Sequence, residues 1–231
     1  MRLIPALLLA LLSIAPAWAS PPPKYLPADQ PDVLTLLAPP PLASSEEEHA
    51  DLESSFAVAS TATPEQLAHA RAEDKLTVFH LTATAVPWFQ PGKFPKTEAL
   101  FAEVEAESKP VTTRGKKSWQ RLRPYHVDPA RFPHAIEHEK PTDYGYPSGH
   151  STRGTLFALL LAELFPAQRE ALLAKGREAG WLRVQGGVHY PTDIYAGRVL
   201  GQALARAFLA APDFQADWAA VKAELAAAGP R

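Results

Sequence analysis

Cations, histidines and one carboxylate recur at short intervals in three parts of this sequence. The first part has Lys116 and, after six residues, Arg123-Pro124; the second is Pro147-Ser148-Gly149-His150; the third has Arg183, His189 and Asp193. Arginine can bind two oxygens of an anion at once, and a neutral histidine can attack an electrophile or transfer a proton. Brought together, these residue types could hold a doubly charged phosphomonoester, attack its phosphorus and protonate the leaving oxygen.

The two histidines can divide this chemistry between them. Asp193 follows His189 by four residues and could keep one ring nitrogen protonated while the other, unprotonated nitrogen faces phosphorus. His150 could protonate the leaving oxygen and then take a proton from the water that hydrolyses the phosphohistidine. His189, His150 and Asp193 are therefore the predicted catalytic residues.

The other members of the three groups are predicted to bind the phosphate. Cations would balance its charge, and donors at a helix start would add hydrogen bonds, because exposed N–H groups there favour an anion. The predicted phosphate ligands are Lys116, Arg123, Ser148, Gly149 and Arg183. No metal and no other cofactor is expected, because the cations do the work that a metal ion does elsewhere.

Each group also has a simpler interpretation. The run from Gly149 to Arg153 begins like a G-x-S-x-G nucleophile elbow, but Arg153 replaces the second glycine and no strand precedes it. Ser151 is therefore not predicted to be a nucleophile. Lysines and arginines in loops are usually solvated, and a histidine four residues before an aspartate is more often a helix cap than a catalytic pair.

The remaining histidines and tyrosines near these groups are read as structural. His134 and His138 have the spacing of a zinc pair, but no third ligand follows at a convincing distance. His126 could line the rim of a pocket. Tyr144 and Tyr146 are expected to pack rather than to contact substrate.

In order and spacing, the three groups resemble the signature of the type 2 phosphatidic acid phosphatase (PAP2) superfamily. That superfamily includes bacterial class A non-specific acid phosphatases, membrane lipid phosphatases and vanadium haloperoxidases. The class A acid phosphatases are the most similar, with a signal peptide, a proline-rich amino-terminal arm and one helical domain of comparable length. One position departs from the pattern: Leu182 stands where the family usually has serine.

The resemblance implies an exported acid phosphatase that hydrolyses many small phosphomonoesters through a phosphohistidine, with phosphotransfer to alcohols as a side activity. It implies the same roles for His189 and His150, and it leaves a homo-oligomer open. Three alternatives remain: a lipid phosphate phosphatase, a vanadate-dependent haloperoxidase and a non-catalytic periplasmic anion-binding protein. The last is disfavoured because binding alone needs only the cations, without the histidines and Asp193.

The elements that must position these groups are predicted to be helices in a single all-α domain. Thr63-Pro64-Glu65-Gln66 is close to a capping box and predicts a helix running toward Val86. Further helices are predicted over residues 97–108, 151–165, 166–181, 191–210 and 212–228. The segment 151–165 is apolar almost all round, which predicts a helix at the centre of the core.

The first part of the chain predicts export. Arg2, the apolar run from Leu3 to Ile14 and Ala17-Trp18-Ala19 are typical of a signal peptide over residues 1–19. Residues 20–55, rich in proline, are predicted to form an arm, and residues 56–231 the helical domain. No later segment is long and apolar enough for membrane insertion, and the expected location is the periplasm or the medium.

The charge balance argues against a nucleic acid polymer as partner. The chain has 23 basic and 25 acidic residues, and removal of Arg2 with the signal leaves 22 and 25, a net charge of −3. Any anion that such a protein binds must meet a local cluster of cations. The expected partners are small phosphomonoesters.

Overall fold

A computed structural model describes residues 22–28, 30–136 and 143–228 of the 231-residue chain. Every regular element in these ranges is helical, which confirms the predicted all-α class. The helices are α1 (Val33–Leu36), α2 (Glu46–Ser60), α3 (Pro64–Ala72), α4 (Val78–Thr82), α5 (Pro95–Trp119), α6 (Pro124–Val127), α7 (Gly149–Leu164), α8 (Arg169–Gln185), α9 (Pro191–Ala210) and α10 (Pro212–Ala228), with a 3₁₀ turn at Pro166–Gln168 before α8.

Helix α7 lies at the centre of the core, as its apolar sequence predicts. Its Leu156, Leu160 and Leu161 are fully buried, and α8 and α9 both pack along it. Gly201 of α9 lets the two backbones approach closely, since a Cβ there would lie 2.6 Å from the carbonyl oxygen of Thr152. The bodies of α7 and α9 are therefore closely packed, and a hydrogen bond from the N–H of Ser148 to the carbonyl oxygen of Asp193 joins their starts, which carry two of the three groups.

Three predicted helices have different bounds in the structure. The one predicted over residues 166–181 is a 3₁₀ turn at Pro166–Gln168 followed by α8, which continues to Gln185. Thr63 and Gln66 do form a capping box, but the single helix predicted toward Val86 is wrong, because α3 ends at Ala72 and a second capping box at Thr77 starts α4. The helix predicted over residues 97–108 continues to Trp119. Its packing against the core overrides the break that Pro110 would favour, since residues on both sides of this proline are buried.

The described part of the amino-terminal segment packs against the helical domain. Tyr25, Leu26, Val33 and Leu37 are all buried in its main core cluster. Helix α2, capped by the side chain of Ser45, begins within the segment predicted as an arm. The predicted signal peptide lies outside the described residues, and no helix within them has the length and apolarity to cross a membrane.

Candidate active site

The carboxyl end of α5 carries the first group. Helix α5 stops where Gln120 adopts a left-handed conformation (φ 49°), and the N–H of Gln120 donates to the carbonyl oxygen of Lys116 at 2.9 Å. Burial then alternates along the chain: Arg121 and Arg123 are buried, whereas Leu122 between them is 47% exposed. Two guanidinium groups are therefore directed into the protein within three residues of the helix end.

Arg123, a member of the first group, contacts His189 of the third group. Its Nη1 donates to the carbonyl oxygen of Val188 at 2.9 Å and lies 3.0 Å from Nε2 of His189. The carboxylate of Asp143 contacts Lys116 Nζ at 3.3 Å and also pairs with Arg123. Burial, together with the charge of Arg123, lowers the pKa of Lys116 to about 8, although Asp143 opposes the shift. A carboxylate thus lies between two of the cations that were predicted to bind phosphate.

The third group meets at the start of α9. Oδ2 of Asp193 accepts a hydrogen bond from Nδ1 of His189 at 2.9 Å and another from the N–H of Tyr190 at 3.1 Å. The Nδ1–H tautomer that this contact favours leaves Nε2 unprotonated and directed at Arg123. Burial, reinforced by Arg123 and Lys116, holds the pKa of His189 well below its usual range. The neutral form of the ring is therefore favoured, with Nε2 placed to accept from Nη1 of Arg123.

The second group forms the start of α7. Ser148 is the N-cap, and its side-chain oxygen accepts from the N–H of Ser151 at 3.4 Å. The backbone N–H of Ser148 donates to the carbonyl oxygen of Asp193 at 3.0 Å, which joins the second group to the third. A Cβ on Gly149 would meet no atom within 4 Å, so open space lies beside this turn of the helix.

His150 and Arg183 converge on Asp74, in the loop between α3 and α4. Nε2 of His150 lies 2.9 Å from the carbonyl oxygen of Asp74 and 3.3 Å from its Oδ1, and Nη1 of Arg183 lies 3.6 Å from the same Oδ1. Burial lowers the pKa of His150 and lowers that of Arg183 to about 10. The charges of His150 and Arg183 also lower the pKa of His189. These two residues therefore lie close to His189 and its partners.

A cavity of about 340 Å³ opens beside the two clusters. Its wall comes from one face of α5 and the first turn of α7, with Asp143 and Tyr144 from the preceding loop. The lining residues are mostly of polar or charged types, but their aliphatic and aromatic carbons make up most of the lining surface: Glu105, Ser108, Lys109, Thr112, Thr113, Lys116, Lys117, Asp143, Tyr144, Gly149, His150, Thr152 and Arg153. The cavity has room for the organic part of a small ester bound at the cations.

The structure therefore brings all eight predicted site residues to one end of α5, α7 and α9. Lys116, Arg123, His189 and Asp193 form one connected cluster, and Ser148 joins it through its backbone. The roles of these residues remain predictions, since their geometry alone does not show a reaction. Leu182, at the position where the family usually has serine, is buried in the protein interior.

Four acidic or basic residues of the site were not predicted from the sequence. Arg121 and Asp51 contact Asp193 or its partners, Asp143 bridges two cations, and Asp74 contacts His150. Only Arg121 had a usable signal, because residues two apart on an extended segment share a side and Arg121 precedes Arg123 by two. The others come from loops or from α2, where no spacing points to the site.

Ser151 and Tyr146 are placed as expected for structural residues, whereas Tyr144 is not. Ser151 is buried and donates its hydroxyl to the carbonyl oxygen of Ile194 at 2.7 Å. Tyr146 is buried and donates to the carbonyl oxygen of Ala38 at 2.6 Å, whereas Tyr144 lines the cavity. The described residues contain no group of three or more histidines and carboxylates able to hold a metal ion, and residue 138, which has the spacing of a zinc pair with His134, lies outside them.

Comparison with protein families identifies the class to which this arrangement belongs. Residues 104–216 match the model of the PAP2 superfamily, and all three groups lie within the matched range. This match confirms the resemblance to the PAP2 superfamily that was inferred from the spacing of the groups. Helix α2 and Asp51 lie outside this range.

Several characterised proteins are similar to parts of the chain. A non-specific acid phosphatase of Salmonella typhimurium is 35% identical over 120 residues, which cover 50% of this chain and 46% of that protein. One of Providencia stuartii is 28% identical over 134 residues, covering 57% and 54%. A lipid A 1-phosphatase of Rhizobium johnstonii is 38% identical over 87 residues, covering 37% and 36%. The chain spans about half the length of the acid phosphatases that it matches.

Proposed function

We propose that this protein is a phosphatase that hydrolyses small phosphate monoesters through a phosphohistidine at His189. The observation that carries the proposal is the contact of His189 Nδ1 with Asp193 at 2.9 Å, which leaves Nε2 facing Arg123 at 3.0 Å. A neutral imidazole aimed into a cluster of cations has the geometry of a nucleophile beside an anion site. The acid phosphatases similar to this chain support the same reaction class.

In the first step, Nε2 of His189 forms a bond to phosphorus and the bond from phosphorus to the leaving oxygen breaks. Lys116, Arg123 and Arg183 balance the charge of the phosphoryl oxygens, and donors at the start of α7 add hydrogen bonds. The leaving oxygen takes a proton from His150. A phosphate that binds Lys116 and Arg123 must also displace the carboxylate of Asp143, which contacts both in the free protein.

In the second step, water forms a bond to phosphorus and gives a proton to His150, and the bond between phosphorus and Nε2 breaks. The electron pair of that bond returns to Nε2 of His189, which restores the starting state. An alcohol in place of water would give phosphotransfer. Burial lowers the pKa of His150. Unless a bound phosphate raises this pKa again, His150 carries the proton needed for the first step only at acid pH.

The cavity offers hydrogen-bonding groups to a polar leaving group, beside a lining surface that is mostly apolar. Lysines and threonines of α5 line the side on which the organic part of a substrate would lie, including Lys109, Thr113 and Lys117. A lipid phosphate is the second candidate substrate, because a lipid A 1-phosphatase is among the similar proteins. The two candidates differ in whether the leaving group is polar or carries long apolar chains.

We also propose export to the periplasm or the medium, with cleavage of the signal peptide after Ala19. The sequence of the first 19 residues supports this, and Edman sequencing of the protein recovered from a periplasmic extract tests it. The expected amino terminus is Ser20. An amino terminus at Met1 would refute the proposal.

A substrate panel tests the proposed function. Release of phosphate is measured from p-nitrophenyl phosphate, a nucleotide, a sugar phosphate, phosphatidate and lipid A between pH 4 and 9, with EDTA in a parallel series. The proposal predicts release from the polar esters, undiminished by EDTA and greatest at acid pH. Release from the two lipids alone would favour a lipid phosphate phosphatase. Binding of phosphate without any turnover would indicate a non-catalytic anion-binding protein. Halide oxidation with vanadate and peroxide is a separate arm, in which the proposal predicts no product.

A further inference from the structure

Arg121 is a buried cation at the site for which the proposed mechanism has no role. It does not contact Lys116, Arg123 or the cavity, and its guanidinium group lies instead behind Asp193. Its Nη1 donates to Oδ1 of Asp193 at 2.8 Å and to the hydroxyl of Thr192 at 2.6 Å. Its Nη2 donates to the carboxylate of Asp51 at 2.7 Å. One guanidinium group therefore joins the carboxylate partner of His189 to helix α2.

The contacts of Asp193 are divided between its two oxygens. Oδ2 accepts from His189 and from the N–H of Tyr190, and Oδ1 accepts from Arg121. A carboxylate held at both oxygens cannot turn about its Cβ–Cγ bond, so Arg121 fixes the direction in which Oδ2 meets Nδ1 of His189. Asp193 is fully buried, and a buried carboxylate keeps its charge only when it is paired.

Besides Asp193 and Thr192, Arg121 has two further partners, Tyr190 and Asp51. Its guanidinium plane lies 3.8 Å from the ring centroid of Tyr190, and Asp51 accepts both from it and from the hydroxyl of Thr192. Asp51 is buried in α2, although this helix lies outside the range that matches the PAP2 model. Asp51, which precedes the matched domain, therefore contacts Arg121, and Arg121 contacts Asp193, the carboxylate partner of the proposed nucleophile His189.

A second ion pair of α2 shows what a purely structural link looks like in this protein. Glu53, two residues after Asp51, pairs with Arg131 at 2.6 and 2.8 Å, and Arg131 lies 4.0 Å from the ring centroid of Phe56. Like Arg121, Arg131 pairs with a carboxylate of α2 and lies over an aromatic ring, but it binds both oxygens of this one carboxylate, and the pair is partly exposed and has no contact with His189 or Asp193. It is a matched control for Arg121 and Asp51.

We propose that Arg121 is a positioning residue for the phosphatase reaction, which fixes Asp193 and through it His189, and that Asp51 of α2 holds Arg121 in place. The inference rests on the proposed function, since it assigns a role in that reaction. Partners that orient a catalytic group from behind typically contribute about 10- to 100-fold to activity. Because Arg121 does not contact the phosphate site, its loss should lower kcat and leave phosphate binding unchanged.

The test compares the full-length variants Arg121→Gln, Arg121→Lys and Asp51→Asn with the control Glu53→Gln. For each, kcat with p-nitrophenyl phosphate, the inhibition constant of inorganic phosphate and the melting temperature are measured. We expect kcat to fall about 100-fold in Arg121→Gln and about 10-fold in Asp51→Asn, with the inhibition constant within about threefold of wild type. Arg121→Lys should recover part of the loss, because it keeps a charge that can reach one of the two carboxylates.

Other results would overturn the inference. If Asp51→Asn is as active as Glu53→Gln, the chain from α2 to Asp193 has no part in positioning. If kcat and the inhibition constant change together, Arg121 belongs to the binding site instead. Asp51→Asn, which keeps the size of the side chain but removes its charge and one acceptor oxygen, still decides the matter if Arg121→Gln does not fold. Wild-type protein without activity on any phosphomonoester would refute the proposed function itself, a result distinct from these.

Discussion

Gly145→Ala is the substitution whose effect the structure predicts most closely. A Cβ on Gly145 would lie 2.8 Å from Oδ2 of Asp193, which is 0.6 Å short of the 3.4 Å at which ordinary contacts begin. The backbone cannot simply retreat, because the N–H of Gly145 donates to the carbonyl oxygen of Arg121 at 2.8 Å. The methyl group must therefore push away the oxygen that orients His189.

The loss of kcat and of stability expected from that displacement can be estimated from the geometry. A misplacement of about 1 Å in a catalytic constellation can cost about 100-fold, so a shift of roughly 0.6 Å should lower kcat about 10- to 100-fold. Overpacking of this kind also lowers the free energy of unfolding by about 1–3 kcal/mol. The KM should change little, since the added Cβ would lie 3.7 Å from Cγ of Arg123, an ordinary contact that leaves the guanidinium group in place. Steady-state kinetics with p-nitrophenyl phosphate and thermal unfolding measure both quantities.

A second glycine separates the two effects. Gly201→Ala would also place a methyl group too close to α7, at 2.6 Å from the carbonyl oxygen of Thr152, but it does not touch Asp193. It should lower the melting temperature and leave kcat per folded molecule within about threefold of wild type. If Gly145→Ala keeps wild-type kcat, or if Gly201→Ala loses as much, the position of Oδ2 does not govern the reaction.

Three further perturbations act on the charges around the phosphate. Asp143→Asn should lower the inhibition constant of phosphate about 10-fold, because phosphate no longer has to displace a carboxylate from Lys116 and Arg123. Inhibition by phosphate should weaken as the pH rises through about 8, where the lowered pKa of Lys116 removes a positive charge; titration of the inhibition constant between pH 6 and 10 measures this. His150→Ala should slow esters with poor leaving groups, such as sugar phosphates, about 10- to 100-fold more than p-nitrophenyl phosphate, because only the poor leaving groups need its proton.

Each of these has a matched control or a result that contradicts it. Weaker phosphate inhibition in Asp143→Asn would mean that Asp143 orients Arg123 instead of competing with phosphate. Lys116→Arg keeps its charge across the whole range, so the decline near pH 8 should disappear in this variant; its persistence would assign the decline to another group. Equal losses on good and poor leaving groups in His150→Ala would remove His150 from the role of proton donor.

The three groups could be predicted from the sequence because the chemistry demands residue types that are rarely spaced in this way by accident. Helix α9 places His189 and Asp193 in contact because a residue just before a helix lies over its first turn, and Asp193 is the third residue of that helix. The all-α class followed from helical periodicity and from caps such as Thr63. These are local properties, which a single sequence records directly.

What could not be predicted depends on contacts between distant parts of the chain. Asp74 meets His150 only because α3 ends at Ala72, and Asp51 meets Arg121 only because α2 packs beside α9. Residues 120–123 also reverse the usual rule, since a leucine is exposed while the arginines beside it are buried. A buried arginine is stable only among partners that lie far away in the sequence.

Trapping the phosphoenzyme tests the central claim, that His189 is the nucleophile. The protein is mixed with p-nitrophenyl phosphate at acid pH and quenched within milliseconds in base, which preserves a phosphohistidine, and the modified residue is located by mass spectrometry. A burst of about one p-nitrophenol per active site should accompany a phosphoryl group on His189, and both should be absent in His189→Ala. A phosphoryl group on any other residue, or turnover that survives in His189→Ala, would contradict the account.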